Sequence, residues 1–179
     1  MQVDKNHRLL GSEWKPSEHF DDRPKDSLIE LVVVHSISLP EGQFGTGFPE
    51  HLFAGTLDLE ADSSFFDLEG IKVAPHLFID RLGKITQLVS FDKRAWHAGV
   101  SSWRNRPNCN NYSIGLELEG SDNTSYEDHQ YQSLRVVLSA LFLAYERLSL
   151  ESVVGHSEIS PERKTDPGQY FDWTKLYDR

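Results

Sequence analysis

The chain has 179 residues, with 28 acidic side chains against 18 basic ones and a formal net charge of −10. That length suits one domain, and 38% hydrophobic residues supply a core, which excludes global disorder. The acidic balance argues against wrapping nucleic acid, whose phosphates need a basic surface.

In chain order, the opening (Trp14, Pro16, Phe20, Pro24) reads as irregular, with aromatics that pin it to the body. Residues 28–36 (LIELVVVHS) form a β-branched, nearly unbroken apolar run that suits a strand buried on both faces. Residues 37–72 read as a long connection with a short helix near 49–54; connections of that length are usually functional when ordered. Segments 73–80 and 84–90 flank Arg81-Leu82-Gly83 and predict a hairpin. In 112–120 (YSIGLELEG), Ile114, Leu116 and Leu118 share one strand face and Gly115, Glu117 and Glu119 the other. Tyr131, Leu134, Leu138, Leu141 and Tyr145 predict a helix over 125–148, with Thr124 and Glu127 in the form of a capping box. A short strand (153–157), a loop (159–169) and a short helix (172–177) follow. Strands interspersed with helices indicate an α/β domain with a central mixed sheet, spanning 1–179 as one unit.

The longest apolar run, Leu31 to Val34, is too short to cross a bilayer. The first ten residues lack the apolar run of an export signal, and the single Cys109 cannot form an internal disulfide. The expectation is a cytoplasmic monomer that binds neither nucleic acid nor membrane.

His35 closes one predicted strand and His156 another, and Asp166 follows ten residues later in Lys164-Thr165-Asp166-Pro167-Gly168. Two imidazoles and a carboxylate with a free fourth position are a standard ligand set for catalytic zinc. The competing reading is that the histidines are hydrogen-bonded strand-end residues and that Asp166 caps a turn before Pro167. Lys164 and Asp166, two apart, lean to the same side of an extended segment. Glu117 suits a base near a metal-bound water, whereas Glu119 reads as a solvated carboxylate.

Residues 93–111 (KRAWHAGVSSWRNRPNCNN) hold Lys93, Arg94, Arg104 and Arg106 and no acid, interleaved with Trp96, His97 and Trp103. Such a loop on an acidic chain reads either as a site for a small anionic ligand or as core tryptophans flanked by solvated arginines. Cys109 reads as a structural thiol, since nothing in the sequence activates it, and His76 as a hydrogen-bonded core histidine.

These motifs meet in one family. The stretches VVVHSISLP (32–40), the LFxGT segment (52–56), FDKRAWHAGVSS (91–102), CNNYSIGLELEG (109–120) and GHSEISPERKTDPG (155–168) resemble the AmpD-type N-acetylmuramoyl-L-alanine amidases of the type 2 amidase and peptidoglycan-recognition-protein fold. The resemblance implies zinc held by His35, His156 and Asp166, with Glu117 activating the metal-bound water and Lys164 stabilising the oxyanion. It implies a 1,6-anhydro-N-acetylmuramyl peptide as substrate, cut between the lactyl carbonyl and L-alanine in cytoplasmic peptidoglycan recycling. Arg94 and Arg106 would then meet stem-peptide carboxylates, and Trp96 and His97 would line the cleft beside the anhydro sugar. Ser36 stands where the family often has Asn, Lys72 where Arg is common and Asn108 where an Arg precedes the cysteine. Ser36 and Lys72 are thus substrate-contact positions altered here, which bears on specificity rather than reaction class. The rival is a non-catalytic muropeptide-binding protein of the same fold, which would be expected to lack a metal ligand.

Overall fold

A computed structural model describes residues 1–177; positions 178 and 179 of the expected domain lie outside the described residues. Four short strands open the chain: β1 (Gln2–Val3), β2 (Leu9–Leu10), β3 (Glu13–Trp14) and β4 (Phe20–Asp22). The opening is therefore not irregular, but strands of two or three residues are too short to leave a period in the sequence. The first long strand is β5 (Leu31–Ile37), followed by helix α1 (Phe48–Phe53) and 3-10 turns at Leu59–Ala61 and Ser63–Leu68 within the long connection. Strands β6 (Leu77–Ile79) and β7 (Ile85–Gln87) make the expected antiparallel hairpin. Then come β8 (Lys93–Ala95), β9 (Ser102–Trp103), β10 (Arg106–Pro107), β11 (Ser113–Glu119) and helix α2 (Asp128–Ala144). The chain closes with β12 (Val153–Gly155), helix α3 (His156–Ile159) and a 3-10 turn at Trp173–Leu176.

The central sheet is six-stranded and mixed, in the order β12-β5-β11-β6-β7-β3, as the α/β reading expected. Strands β12, β5, β11 and β6 run parallel, β7 is antiparallel to β6, and β3 joins β7 in parallel as an edge. Alternation divides the long strands between two cores. Val32 and Val34 of β5 gather with Ile114, Leu116 and Leu118 of β11 and with Tyr131, Leu134, Val137, Leu138 and Leu141 of α2. On the other face, Leu31 and Val33 pack with Ala98, Cys109, Tyr112 and Val154. That second face is covered by the short helix α3 and by loops, and loops are where a fold places chemistry.

Helix α2 is shorter than its periodicity suggests. The Gln130 side chain accepts from the Glu127 N–H at 3.0 Å, so the N-terminal cap is at Glu127, not Thr124, which instead bridges to Ser121. At the other end Tyr145 turns extended (φ −129, ψ 97), and its ring serves the core from outside the helix. Strand β12 likewise stops at Gly155, and His156 opens the turn of α3 rather than ending a strand.

Glu119 corrects a second expectation. It is 3% exposed, not solvated. One oxygen accepts the Gly45 N–H at 2.5 Å and the other the Arg81 N–H at 3.1 Å. A single buried carboxylate thereby ties both the 37–72 connection and the β6–β7 hairpin to β11. Glu119→Ala removes the acceptor shared by two backbone donors on the exposed Gly45 and the half-buried Arg81, each hydrogen bond worth about 0.5–1.5 kcal/mol. Urea unfolding should register a loss of about 1–3 kcal/mol, and limited proteolysis should cut faster in the connection; a protein of unchanged midpoint and cleavage rate would show that water satisfies both donors.

Candidate metal centre and catalytic site

Strand register builds the site. In a parallel pair, residues at the same level point to the same face, and Glu117 of β11 is the partner of His35 of β5. Gly155 of β12 pairs with Val34, so the next residue, His156, arrives level with His35. Three neighbouring parallel strands thus deliver two imidazoles and a carboxyl group at their C-terminal ends, the usual place for ligands in open α/β sheets. Asp166 enters from the loop after α3. Its carbonyl accepts the Ser157 N–H at 3.0 Å, and the next carbonyl, Pro167, accepts the Tyr126 hydroxyl at 2.7 Å. Gly168 (φ +82) follows, so close to Asp122 that an added Cβ would stand 2.6 Å from its Cα.

The three donors form a nearly equilateral triangle. His35 Nδ1 lies 2.9 Å from His156 Nδ1 and 3.1 Å from Asp166 Oδ2, and the last two are 3.0 Å apart. Tetrahedral ligands at about 2.0–2.1 Å from zinc stand about 3.3 Å from one another, so the triangle fits one face of such a shell with small adjustments. No other such grouping of His, Cys, Asp and Glu occurs among the described residues. Of the two readings left open by spacing, strand-end histidines or a metal site, the second is compatible with this geometry.

Protonation states agree. Burial pushes His35 down to about 4, which keeps the ring neutral at pH 7 with a lone pair free to donate. Burial alone would raise Asp166, but hydrogen bonds from His156 and His35 outweigh it and hold the carboxyl below its ordinary range. Glu117 is 8% exposed; burial, then the charge of Asp166, pushes it well above an ordinary carboxyl, while Lys164 pulls the other way. Glu117 and Lys164 are thus within electrostatic reach of the triangle.

The remaining candidates divide. His97 is brought to the centre: its Nδ1 lies 2.9 Å from His35 Nε2 and its Nε2 lies 3.1 Å from Ser113 Oγ. Ser36 is half-buried next to His35 on β5. Trp96 stacks on His19, which shares a cavity of about 270 Å³ with the exposed Lys72. Arg94 and Arg106 are engaged elsewhere. Arg94 Nε donates to Asp21 at 2.6 Å and a second contact makes the pair bidentate; Arg106 pairs with Glu30 and covers the Tyr112 ring at 3.9 Å. Lys93 pairs with Asp22 at 2.6 Å. Three of the four cations in the acid-free window at 93–111 are therefore met by acids from earlier in the chain, which inspection of the window alone does not reveal, while Arg104 lies over the Trp103 ring. Cys109 is buried beside the Tyr112 hydroxyl at 3.3 Å, away from His97, as a structural thiol should be. The sequence reading passed over Tyr126, Ser113 and Gly115. For Gly115 a signal existed, because glycine inside a strand pattern marks close approach of another group.

Residues 24–169 match the family described as N-acetylmuramoyl-L-alanine amidase. The chain belongs to this family and is a hydrolase. Among its relatives, a protein of Escherichia coli (strain K12) named 1,6-anhydro-N-acetylmuramyl-L-alanine amidase AmpD is 48% identical over 168 residues, covering 94% of this chain and 91% of that one. The protein of the same name from Citrobacter freundii is 50% identical over 161 residues, covering 90% and 86%. The crystal structure of a selenomethionine AmpD derivative superimposes with a TM-score of 0.95 at 47% identity, covering 99% of this chain and 98% of that one.

Buried neutral histidines make the fold sensitive to acid. His35 and His76, the latter pushed down to about 3 by burial and by the charge of Arg23, bind protons more weakly folded than unfolded. Stability is therefore complete above about pH 6.5 and is lost as pH falls towards 4, by up to about 1.4 kcal/mol per pH unit for each histidine. Glu117, raised on folding, acts in the opposite sense above about pH 4.5, so the measurement uses metal-free Glu117→Gln protein. Urea midpoints that stay level from pH 7 to pH 4 would contradict the neutral assignment.

Proposed function

We propose that this chain is a zinc amidase that hydrolyses the bond between the lactyl carbonyl of 1,6-anhydro-N-acetylmuramic acid and L-alanine in cytoplasmic muropeptides. The observation that carries this reading is the triangle of His35, His156 and Asp166 with Glu117 in register beside it. The substrate rests on the relatives that share about half the sequence and carry that activity in their names. A nitrogen–nitrogen–oxygen donor set with an open position favours zinc. The cytoplasmic setting is supported by the one free, buried cysteine. No helix among the described residues is long and apolar enough to cross a membrane. We take the unit to be a single domain over 1–179, acting as a monomer.

His35, His156 and Asp166 would hold the metal, which when bound makes water nucleophilic and polarises the amide carbonyl. Glu117 then accepts the proton of the attacking water, a task its raised basicity suits. The ammonium of Lys164 offsets the negative charge that gathers on the carbonyl oxygen as water adds. Protonated Glu117 returns its proton to the alanine nitrogen as the carbon–nitrogen bond breaks. The products are the anhydromuramic carboxylate and a peptide with a free amino terminus. Ser36, Trp96, His97 and Lys72 remain proposed substrate contacts. Arg94 and Arg106 reach a substrate carboxylate only by giving up Asp21 and Glu30.

The direct test is mass spectrometry of an anhydromuramyl-tripeptide incubated with zinc-loaded and chelator-treated protein. Metal-dependent release of free tripeptide and anhydro sugar is expected; tight binding of the intact fragment without cleavage would favour the non-catalytic binder. Asp166→Ala should stay folded but lose both zinc and turnover, and unchanged zinc stoichiometry would remove it from the ligand set. Glu117→Gln should keep its zinc while turnover drops by about two to four orders of magnitude; wild-type turnover would point to another base.

A further inference from the structure

A metal-ligating imidazole works when its second ring nitrogen is held by an acceptor, because that bond fixes the tautomer and the orientation of the first. His156 meets this condition in the common way, with Nε2 at 3.1 Å from the Ala98 carbonyl. His35 does not. Its Nε2 has neither a carbonyl nor a carboxylate; its partner among the described residues is His97 Nδ1, at 2.9 Å. The other nitrogen of His97 meets Ser113 Oγ at 3.1 Å. To hold a metal, His35 Nδ1 must present its lone pair to the donor triangle, so its Nε2 would then carry the proton and donate to His97, which in turn would donate to the serine hydroxyl.

His97 is built into this place. Its backbone N–H and that of Ala98 both approach Asn110 Oδ1, at 3.3 and 2.8 Å. Its ring stands edge-on to His35, with centroids 5.0 Å apart and planes at 79°. It lies directly over Gly115, where an added Cβ would meet its Cγ at 2.4 Å and its Nδ1 at 2.6 Å. The backbone of Gly115 does not need glycine for its own conformation, as its φ is not in the left-handed region. Ser113, Gly115 and Glu117 therefore share one strand face with three tasks: the serine accepts, the glycine makes room, and the glutamate faces the cleft.

We propose that His97 is a positioning residue for the metal: it accepts the Nε2–H of His35 and so holds the His35 Nδ1 lone pair on the donor triangle, with Gly115 kept side-chain-free to admit the ring. This role differs from lining the substrate cleft, and it rests on the zinc reading of the cluster.

Zinc affinity, measured on the full chain by competition with a chromophoric chelator, tests it without reference to turnover. His97→Phe fills the space but accepts no hydrogen bond and should weaken zinc binding about 10- to 100-fold. His97→Asn is smaller but places an acceptor oxygen near the site of Nδ1, and should recover most of the loss. Gly115→Ala should weaken binding in the same direction by displacing the ring. Were His97 only a packing residue, the order would reverse, with Phe close to wild type and Asn worse; that order, or wild-type affinity in both, overturns the proposal. Wild-type protein that holds zinc no better than Asp166→Ala would instead sink the underlying zinc reading, and this inference with it.

Discussion

Because β12, β5 and β11 run parallel and in register, their C-terminal ends must present side chains of the same level to the same face. His156, His35 and Glu117 meet for that reason, although they are separated by long stretches of sequence. An apolar strand can be slid or replaced at modest cost, but a slip of one residue here would turn all three polar groups into the main core. The hydrophobic pattern that builds the sheet is thus also what aims the chemistry. The large cluster under α2 anchors the register, and the smaller face, under α3 and loops, is left for the site.

The charge pattern follows from this arrangement. Three polar groups crowded near 3 Å on a buried face give up their water, a cost that falls when the charged form of a buried group is either avoided or hydrogen-bonded. Burial keeps His35 neutral, and hydrogen bonding within the triangle holds the Asp166 carboxyl below its ordinary range. The same burial drives Glu117 in the opposite direction, towards holding a proton. Two carboxyl groups in electrostatic contact are thus pushed in opposite directions by their surroundings.

The sequence made the long elements legible because they are periodic: the apolar run of β5, the alternation of β11 and the heptad-like spacing of α2 all appear in nearly their predicted places. It also marked the candidate site, since a histidine near the end of an apolar strand and an aspartate before proline are local features. What it did not hold were pairings between distant segments. Lys93, Arg94 and Arg106 look unmatched until Asp22, Asp21 and Glu30 come alongside. Glu119 looks solvated because alternation alone does not say which face is covered, and the loop that covers it has no period of its own. The short opening strands were lost for the same reason.

The contact between Gly115 and His97 also constrains how such a chain can change. A side chain at 115 and an imidazole at 97 exclude one another within a fixed backbone, so neither position is free to drift singly. Any descendant that fills position 115 must first have surrendered the ring at 97, and with it the acceptor that His35 uses. The two sites are steric alleles of one another, and the order of substitution matters as much as the substitutions themselves.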